Sequence, residues 1–100
     1  MSQDTNASPA RKKTPPPTAS TTAYKNAASQ MHMDMAVPYT GDADHDFAAT
    51  MAAHHTGAIA MAHVELKYGK DRELRKLAEE IIAGQEREIA FMKAWLAKHP

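Results

Sequence analysis

"DHDFAATMAAHHTGAIAMAHVEL", residues 44–66, is the stretch that decides the fold, because its apolar side chains recur three and four positions apart. This spacing places them on one stripe of an α-helix. The stripe comprises Phe47, Met51, His54, Ala58, Met61, Ala62 and Glu65. The pattern predicts a helix over about residues 43–68, with Asp42 as its N-cap and Gly69 in a left-handed conformation at its end.

The sequence on both sides of this stretch also has helical periodicity. Upstream, a short helix is predicted from Ser20 to a point near Pro38, and its apolar face is formed by Tyr24, Ala27, Ala28, Met31 and Met35. Downstream, Asp71 is expected to cap a third helix over about residues 72–98. The apolar stripe of that helix comprises Leu74, Leu77, Ala78, Ile81, Ile82, Ile89, Met92, Trp95 and Leu96.

The connection at Gly69 and Lys70 is short, so the second and third helices must form an antiparallel hairpin. The facing pairs expected from a turn centred there are His54–Gln85, Met51–Glu88 and Phe47–Met92. We therefore predict an all-α fold, an antiparallel helical bundle made of a short first helix and a long helical hairpin.

The N-terminal residues differ in composition from the rest of the chain. Residues 1–20 are rich in Ser, Thr and Pro, and no large apolar side chain occurs between Ser2 and Thr22. Such a composition is typical of a disordered tail or linker. We divide the chain into a tail, residues 1–20, and a helical metal-binding domain, residues 21–100.

Charge and hydropathy exclude several classes of function. The formal net charge is zero, and the basic run at residues 11–13 is too short to predict binding to nucleic acid. No apolar run approaches the roughly twenty residues of a membrane span, and no export signal is recognisable. The absence of cysteine excludes disulfides and thiolate metal sites.

Histidine and methionine are concentrated in residues 31–63, which contain five of the six histidines and five of the seven methionines. Imidazole and thioether groups without thiolate suit Cu(I) and Ag(I), and the imidazoles alone suit Cu(II). The candidate ligands are His54, His55, Met51 and Met61, together with Met31, His32, Met33 and Met35 of "MHMDM". Ordinary packing is the alternative for both groups, because methionine also fills gaps in helical cores.

Two polar residues interrupt or border the apolar stripe of the third helix. Gln85 lies near its centre, and Glu88 lies about one turn further on. An unpaired buried polar group costs about 1–3 kcal/mol, so both residues need partners. We expect them to support the histidines from outside the ligand set. His45, His63 and His99 are expected at the surface.

The segments "DFAATMAAHHTGAIAMA" and "IIAGQEREIAFMKAWL" resemble the CopM-like family, a bacterial domain-of-unknown-function family with a ferritin-like helical bundle. The resemblance covers roughly residues 30–97. It implies a periplasmic or otherwise extracytoplasmic copper-binding protein with His and Met ligands. The residues matched by position are Asp46, Met51, His54, His55, Met61, Gln85, Glu88 and Met92. Of these, Asp46 and Met92 are expected, like Gln85 and Glu88, to support the ligands rather than to bind the metal. This chain has Ala53 where many relatives have proline, and the expected export signal is missing.

The function expected from these observations is non-enzymatic binding of copper in metal tolerance, buffering or trafficking. A di-iron enzyme would need Glu-x-x-His pairs, and the sequence contains none. The alternative is a helical protein-interaction module that binds no metal. We also expect a homodimer, because about seventy ordered residues supply only a small core. A copper-trafficking protein is the further partner considered.

Overall fold

The structure is a computed structural model that describes residues 16–100. It consists of three α-helices: α1 (Ala19–Met35), α2 (Ala43–Tyr68) and α3 (Arg72–Lys98). The predicted all-α fold, with a short first helix and a long helical hairpin, is confirmed. Most of the predicted tail, residues 1–15, lies outside the described residues. No helix within residues 16–100 combines the length and apolar character needed to cross a membrane.

Side-chain caps fix the start of each helix. Thr18 forms a capping box with Thr21 at the start of α1. Asp42 accepts a hydrogen bond from the backbone of Asp44, and Asp71 accepts one from the backbone of Leu74. The N-caps predicted for α2 and α3 are therefore confirmed.

The conformation predicted for Gly69 is wrong. Its φ is −75° and its ψ is 156°, which is extended rather than left-handed backbone. A side chain at this position would collide with the carboxylate of Glu65, so glycine provides space here. Arg75 of α3 also contacts the end of α2. Its Nη1 donates hydrogen bonds to the backbone carbonyls of Leu66, at 2.6 Å, and Gly69, at 3.1 Å.

The helices α1 and α3 pack on opposite sides of α2. Ala48 and Ala62 of α2 are buried towards α3, whereas Gly57 lies about 140–180° further around the helix and is buried against Met31 of α1. Within residues 16–100, the backbones of α1 and α3 do not approach each other. The three helices therefore form a layer with α2 in the middle.

The stripe predicted to be the core of α2 is exposed at several positions, although its Ala62 is buried. Phe47 is 62% exposed, Met61 is 43% exposed, and His54 is also exposed. Because α1 and α3 occupy opposite sides of α2, the stripe between them has no helix to cover it. We call this surface the open face. It is formed by the stripe of α2 and the adjoining edge of α3 from Leu74 to Trp95.

The register of the hairpin differs from the prediction by about one helical turn. Glu88 was expected opposite Met51, but it contacts His55. The connection comprises Gly69–Asp71, and Gly69 and Asp71 have extended backbone, so the hairpin reverses later in the chain than a turn centred on Gly69 and Lys70 would. With this register, Met51 lies level with Met92.

Candidate metal centre

A cleft of about 480 Å³ lies between α2 and α3 on the open face. It is lined by Phe47, Met51, His55, Arg87, Glu88, Phe91 and Met92. We call it the methionine–histidine cleft. Four of these residues carry atoms that bind metals: two thioethers, one imidazole and one carboxylate.

Helical spacing explains why these donors converge. Met51 and His55 are four residues apart on α2, and Glu88 and Met92 are four residues apart on α3. Residues four apart share one face of a helix. The antiparallel register then places the two thioethers at one level, with the imidazole and carboxylate about 6 Å further along the hairpin.

His55 is held by a short contact to Glu88. Its Nε2 lies 2.5 Å from the Oε1 of Glu88, and the imidazole is 13% exposed. An ionised carboxylate only accepts hydrogen bonds, so a neutral His55 carries its proton on Nε2 and a lone pair on Nδ1. That Nδ1 atom is buried and has no hydrogen-bond partner within residues 16–100.

An imidazole nitrogen in this state is suited to metal binding. Histidines that bind metals commonly donate their other ring N–H to a carboxylate, which fixes the tautomer and increases the basicity of the ligand. The His55–Glu88 pair has that arrangement. Leaving a buried acceptor unpaired costs about 1–3 kcal/mol, and a bound cation would satisfy it.

The second histidine of the pair, His54, is not among the residues that line the cleft. The ring of His54 is exposed, and its centroid is 6.2 Å from that of His55. Adjacent residues on a helix diverge by about 100°, so His54 belongs to the open face while His55 points towards α3. The two imidazoles therefore leave neighbouring positions of α2 in different directions.

Comparison with known families adds one finding. The model of a family described as domain of unknown function, DUF305, matches residues 1–96. The chain belongs to the DUF305 family. No curated protein matches it.

The other candidate ligands of this DUF305 domain lie outside the methionine–histidine cleft. Met61 lines a second cleft of about 300 Å³, whose wall on α1 is formed by Tyr24. Gln85 lines the same second cleft, and its Oε1 is buried without a hydrogen-bond partner within residues 16–100. Glu88, rather than Gln85, therefore makes the contact to a histidine.

The donors of residues 31–35 point to two sides of α1. Met31 packs against Gly57, and Met35 is half-buried. His32 and Met33 are exposed, Met33 to 63%. None of the four lines the methionine–histidine cleft. The structure thus separates this segment from His55.

Asp46 organises the loop that precedes α2. Its carboxylate accepts hydrogen bonds from the backbone N–H groups of Thr40, at 2.9 Å, and Gly41, at 3.3 Å. It also accepts one from the hydroxyl of Thr40. The backbone hydrogen bond from Thr40 is the main reason why the pKa of Asp46 lies below its ordinary value. Asp46 does not line the methionine–histidine cleft.

The three remaining histidines are peripheral to the cleft. His63 is exposed, and His99 stacks on Trp95 with ring centroids 4.1 Å apart. His45 is half-buried beside Asp46, and its Nδ1 has no hydrogen-bond partner within residues 16–100. None of them lines a cleft with His55.

Sequence reasoning missed Arg87 and Phe91, which also line the methionine–histidine cleft. Phe91 is 72% exposed and lies beside the predicted stripe of α3. Their position follows from the register, because they precede Glu88 and Met92 on the same helix. Within residues 16–100, no group of three or more His, Cys, Asp or Glu side chains converges. The thioethers are therefore the donors that accompany His55 and Glu88 in this cleft.

Proposed function

We propose that this DUF305 domain is a copper-binding protein, as its resemblance to the CopM-like family implies. The observation that carries the proposal is the buried Nδ1 atom of His55, which has no hydrogen-bond partner within residues 16–100. Glu88 orients the ring that carries this atom, and two methionines line the same cleft. The ligands we assign to this site are Met51, His54, His55 and Met92. Glu88 orients the imidazole of His55.

The donor set favours particular oxidation states. Thioethers are soft ligands that bind Cu(I) and Ag(I), whereas Cu(II) prefers imidazole. Met51 and Met92 therefore provide the affinity for Cu(I) and Ag(I), together with His55. Cu(II) depends chiefly on His54 and His55. Met61 and residues 31–35 are additional donors for soft ions, at places separate from this cleft.

The role we propose is non-enzymatic. A binding site of this kind suits buffering, metal tolerance or transfer to a copper-trafficking partner. The resemblance to the CopM-like family supports a periplasmic or otherwise extracytoplasmic location for this activity.

A competition titration with Cu(I), Ag(I) and Cu(II) tests the proposal, with Trp95 fluorescence as a second readout. The His54→Ala/His55→Ala variant should lose at least about 100-fold in affinity for Cu(II), because both imidazoles are removed. The matched control is His45→Ala/His63→Ala, which removes two histidines of the same helix outside the cleft. Equal affinities for the two variants would contradict the assignment.

An interaction module without metal is the second candidate, and the exposed apolar side chains of the open face favour it. Such a module would show no response to the three ions. Its melting temperature and Trp95 fluorescence would be the same with and without stoichiometric metal. The titration therefore also distinguishes the two functions.

A further inference from the structure

More than half of the exposed large hydrophobic side chains of residues 16–100 lie on the open face or directly beside it. Six of the ten exposed large hydrophobic side chains within residues 16–100 line clefts on this face. They are Tyr24, Phe47, Met61, Leu74, Leu77 and Phe91. A concentration of exposed apolar side chains on one face is typical of an interface.

The interior of the domain is correspondingly small. The buried hydrophobic residues within residues 16–100 are Ala48, Ala62, Ala78 and Met92, and no large side chain there is fully buried. Three of these four are alanines, which bury little apolar area. Covering the open face would therefore add substantially to the hydrophobic core.

The open face is complementary to itself. Phe91 protrudes from α3. Leu77, fourteen residues earlier on the same helix, borders the second cleft, which is a hollow of about 300 Å³. Small side chains, Ala58, Ala62 and Ala78, contribute to the lining of that hollow. The protruding ring and the hollow lie on the same stripe of α3, because fourteen residues are two heptads.

Gly84 lies midway between the two features, seven residues from Leu77 and seven from Phe91. A Cβ atom at Gly84 would have only the guanidinium of Arg87 near it, at 3.8 Å, so the surface there is open. A two-fold axis near Gly84 would bring two α3 helices together in antiparallel orientation. It would also place each Phe91 about 10 Å from the axis, at the level of the other chain's hollow.

We infer that a second copy of this chain covers the open face in an antiparallel two-fold dimer centred near Gly84. Phe91 of each protomer inserts into the alanine-lined hollow of its partner. Two-fold dimers bury the same patch on both subunits, so a surface with both a protrusion and a matching hollow suits this symmetry.

The size of the open face agrees with this assignment. From Leu74 to Trp95 the face is about 30 Å long, at 1.5 Å per residue, and two packed helices are about 20 Å wide. The contact would then cover roughly 600 Å² on each protomer. The total of about 1,200 Å² reaches the range of specific protein–protein interfaces.

Site-specific cross-linking tests the position of the axis, and the natural absence of cysteine makes single-cysteine variants unambiguous. Gly84→Cys should form a disulfide-linked dimer under diamide, at low micromolar protein with a metal chelator present. Ala94→Cys, which is exposed on the same helix but far from the axis, is the control. We expect Gly84→Cys to cross-link at least about tenfold faster. Equal rates, or a faster Ala94→Cys, would overturn the proposed symmetry.

Sedimentation of charge variants without metal tests the pairing of Phe91 with the hollow. Phe91→Glu and Leu77→Lys should each raise the dimer dissociation constant at least about 100-fold, while circular dichroism stays unchanged because both side chains are exposed. The double variant should dimerise again, since each glutamate then meets a lysine of the partner.

The control is Tyr39→Glu, which changes an equally exposed aromatic residue in the loop before α2 and should leave the dimer intact. A wild type that is monomeric at high micromolar concentration, or a Phe91→Glu variant that dimerises like it, would overturn the proposal.

Discussion

The Nε2 atom of His55 lies 2.5 Å from the Oε1 atom of Glu88, and this contact joins the two helices of the hairpin at the methionine–histidine cleft. Glu88 is largely exposed, whereas the imidazole of His55 is mostly covered. The carboxylate therefore orients a buried ring from the solvent side. It also decides which ring nitrogen keeps its lone pair.

Replacing Glu88 should weaken metal binding without unfolding the domain. In Glu88→Gln the side-chain amide is a weaker acceptor and can also donate a hydrogen bond. The variant therefore no longer selects the tautomer of His55 that carries its proton on Nε2. We expect the Cu(II) affinity to fall about 10- to 100-fold, as for other groups that orient a metal ligand. Competition titrations measure the affinity, and the control is Glu86→Gln, which changes an exposed residue of the same helix. If both variants bind Cu(II) like the wild type, Glu88 does not orient the ligand.

The contact between Met31 and Gly57 should control the docking of α1. A Cβ atom at Gly57 would lie 2.5 Å from the Sδ of Met31, so Gly57→Ala forces the methionine or the helix to move. Overpacking of this kind costs about 1–3 kcal/mol, which exceeds the gain of about 1 kcal/mol from replacing glycine within a helix. Hydrogen exchange should show reduced protection in α1.

A double-mutant cycle separates this contact from a general effect of the substitution. Met31→Ala removes the obstructing side chain, so Gly57→Ala should cost less in the Met31→Ala background than in the wild type. Chemical denaturation measures both differences. Strict additivity of the two changes would show that Met31 and Gly57 do not determine how α1 packs on α2.

Asp46 should make the stability of the domain dependent on acid pH. Hydrogen bonds from Thr40 and Gly41 favour the ionised carboxylate and hold its pKa below the ordinary value of 3.8. A lowered pKa in the folded state stabilises the fold above pH 3.8, and this contribution is lost as the pH falls through the lower, folded-state value.

The wild type should therefore melt at a higher temperature than Asp46→Asn at pH 7, and the difference should shrink towards pH 3. Thr40→Val removes the hydroxyl but keeps the backbone N–H, so its effect should be smaller. Thermal melting at the two pH values measures both variants. A difference between wild type and Asp46→Asn that does not change with pH would contradict this role of the carboxylate.

Local features of the fold were predictable because they depend on neighbouring residues. Asp42 and Asp71 cap helices through backbone groups two or three positions away, which a sequence pattern captures. The spans of α2 and α3 follow from the same caps and from helical periodicity. The convergence of Met51 with His55 was also accessible, since four residues separate them on one helix.

The arrangement of the helices around α2 was not predictable from periodicity. Periodicity assigned Phe47 and Met61 to the core because they are large and apolar, yet α2 is also buried at small residues outside the predicted stripe, Gly57 and Ala48. Small residues let helix backbones approach but contribute little hydropathy signal. The register of the hairpin depended on the extended backbone of the connection, which the assumption of a left-handed Gly69 did not anticipate.

The affinity for Cu(I) and Cu(II) at about pH 7.5 and about pH 5, compared between the wild type and Met51→Leu, tests the central claim most directly. Imidazole must be neutral to bind and ordinarily titrates near pH 6.5, whereas a thioether carries no proton. Cu(II) affinity should therefore fall at least about 30-fold at the lower pH, and Cu(I) affinity should fall much less. Met51→Leu should weaken Cu(I) at both pH values and leave Cu(II) nearly unchanged, while Met33→Leu, an exposed methionine outside the cleft, should have a smaller effect. Cu(I) binding that falls as steeply as Cu(II) binding and is unaffected by Met51→Leu would show that the methionines of the cleft only pack, and would contradict the proposed site.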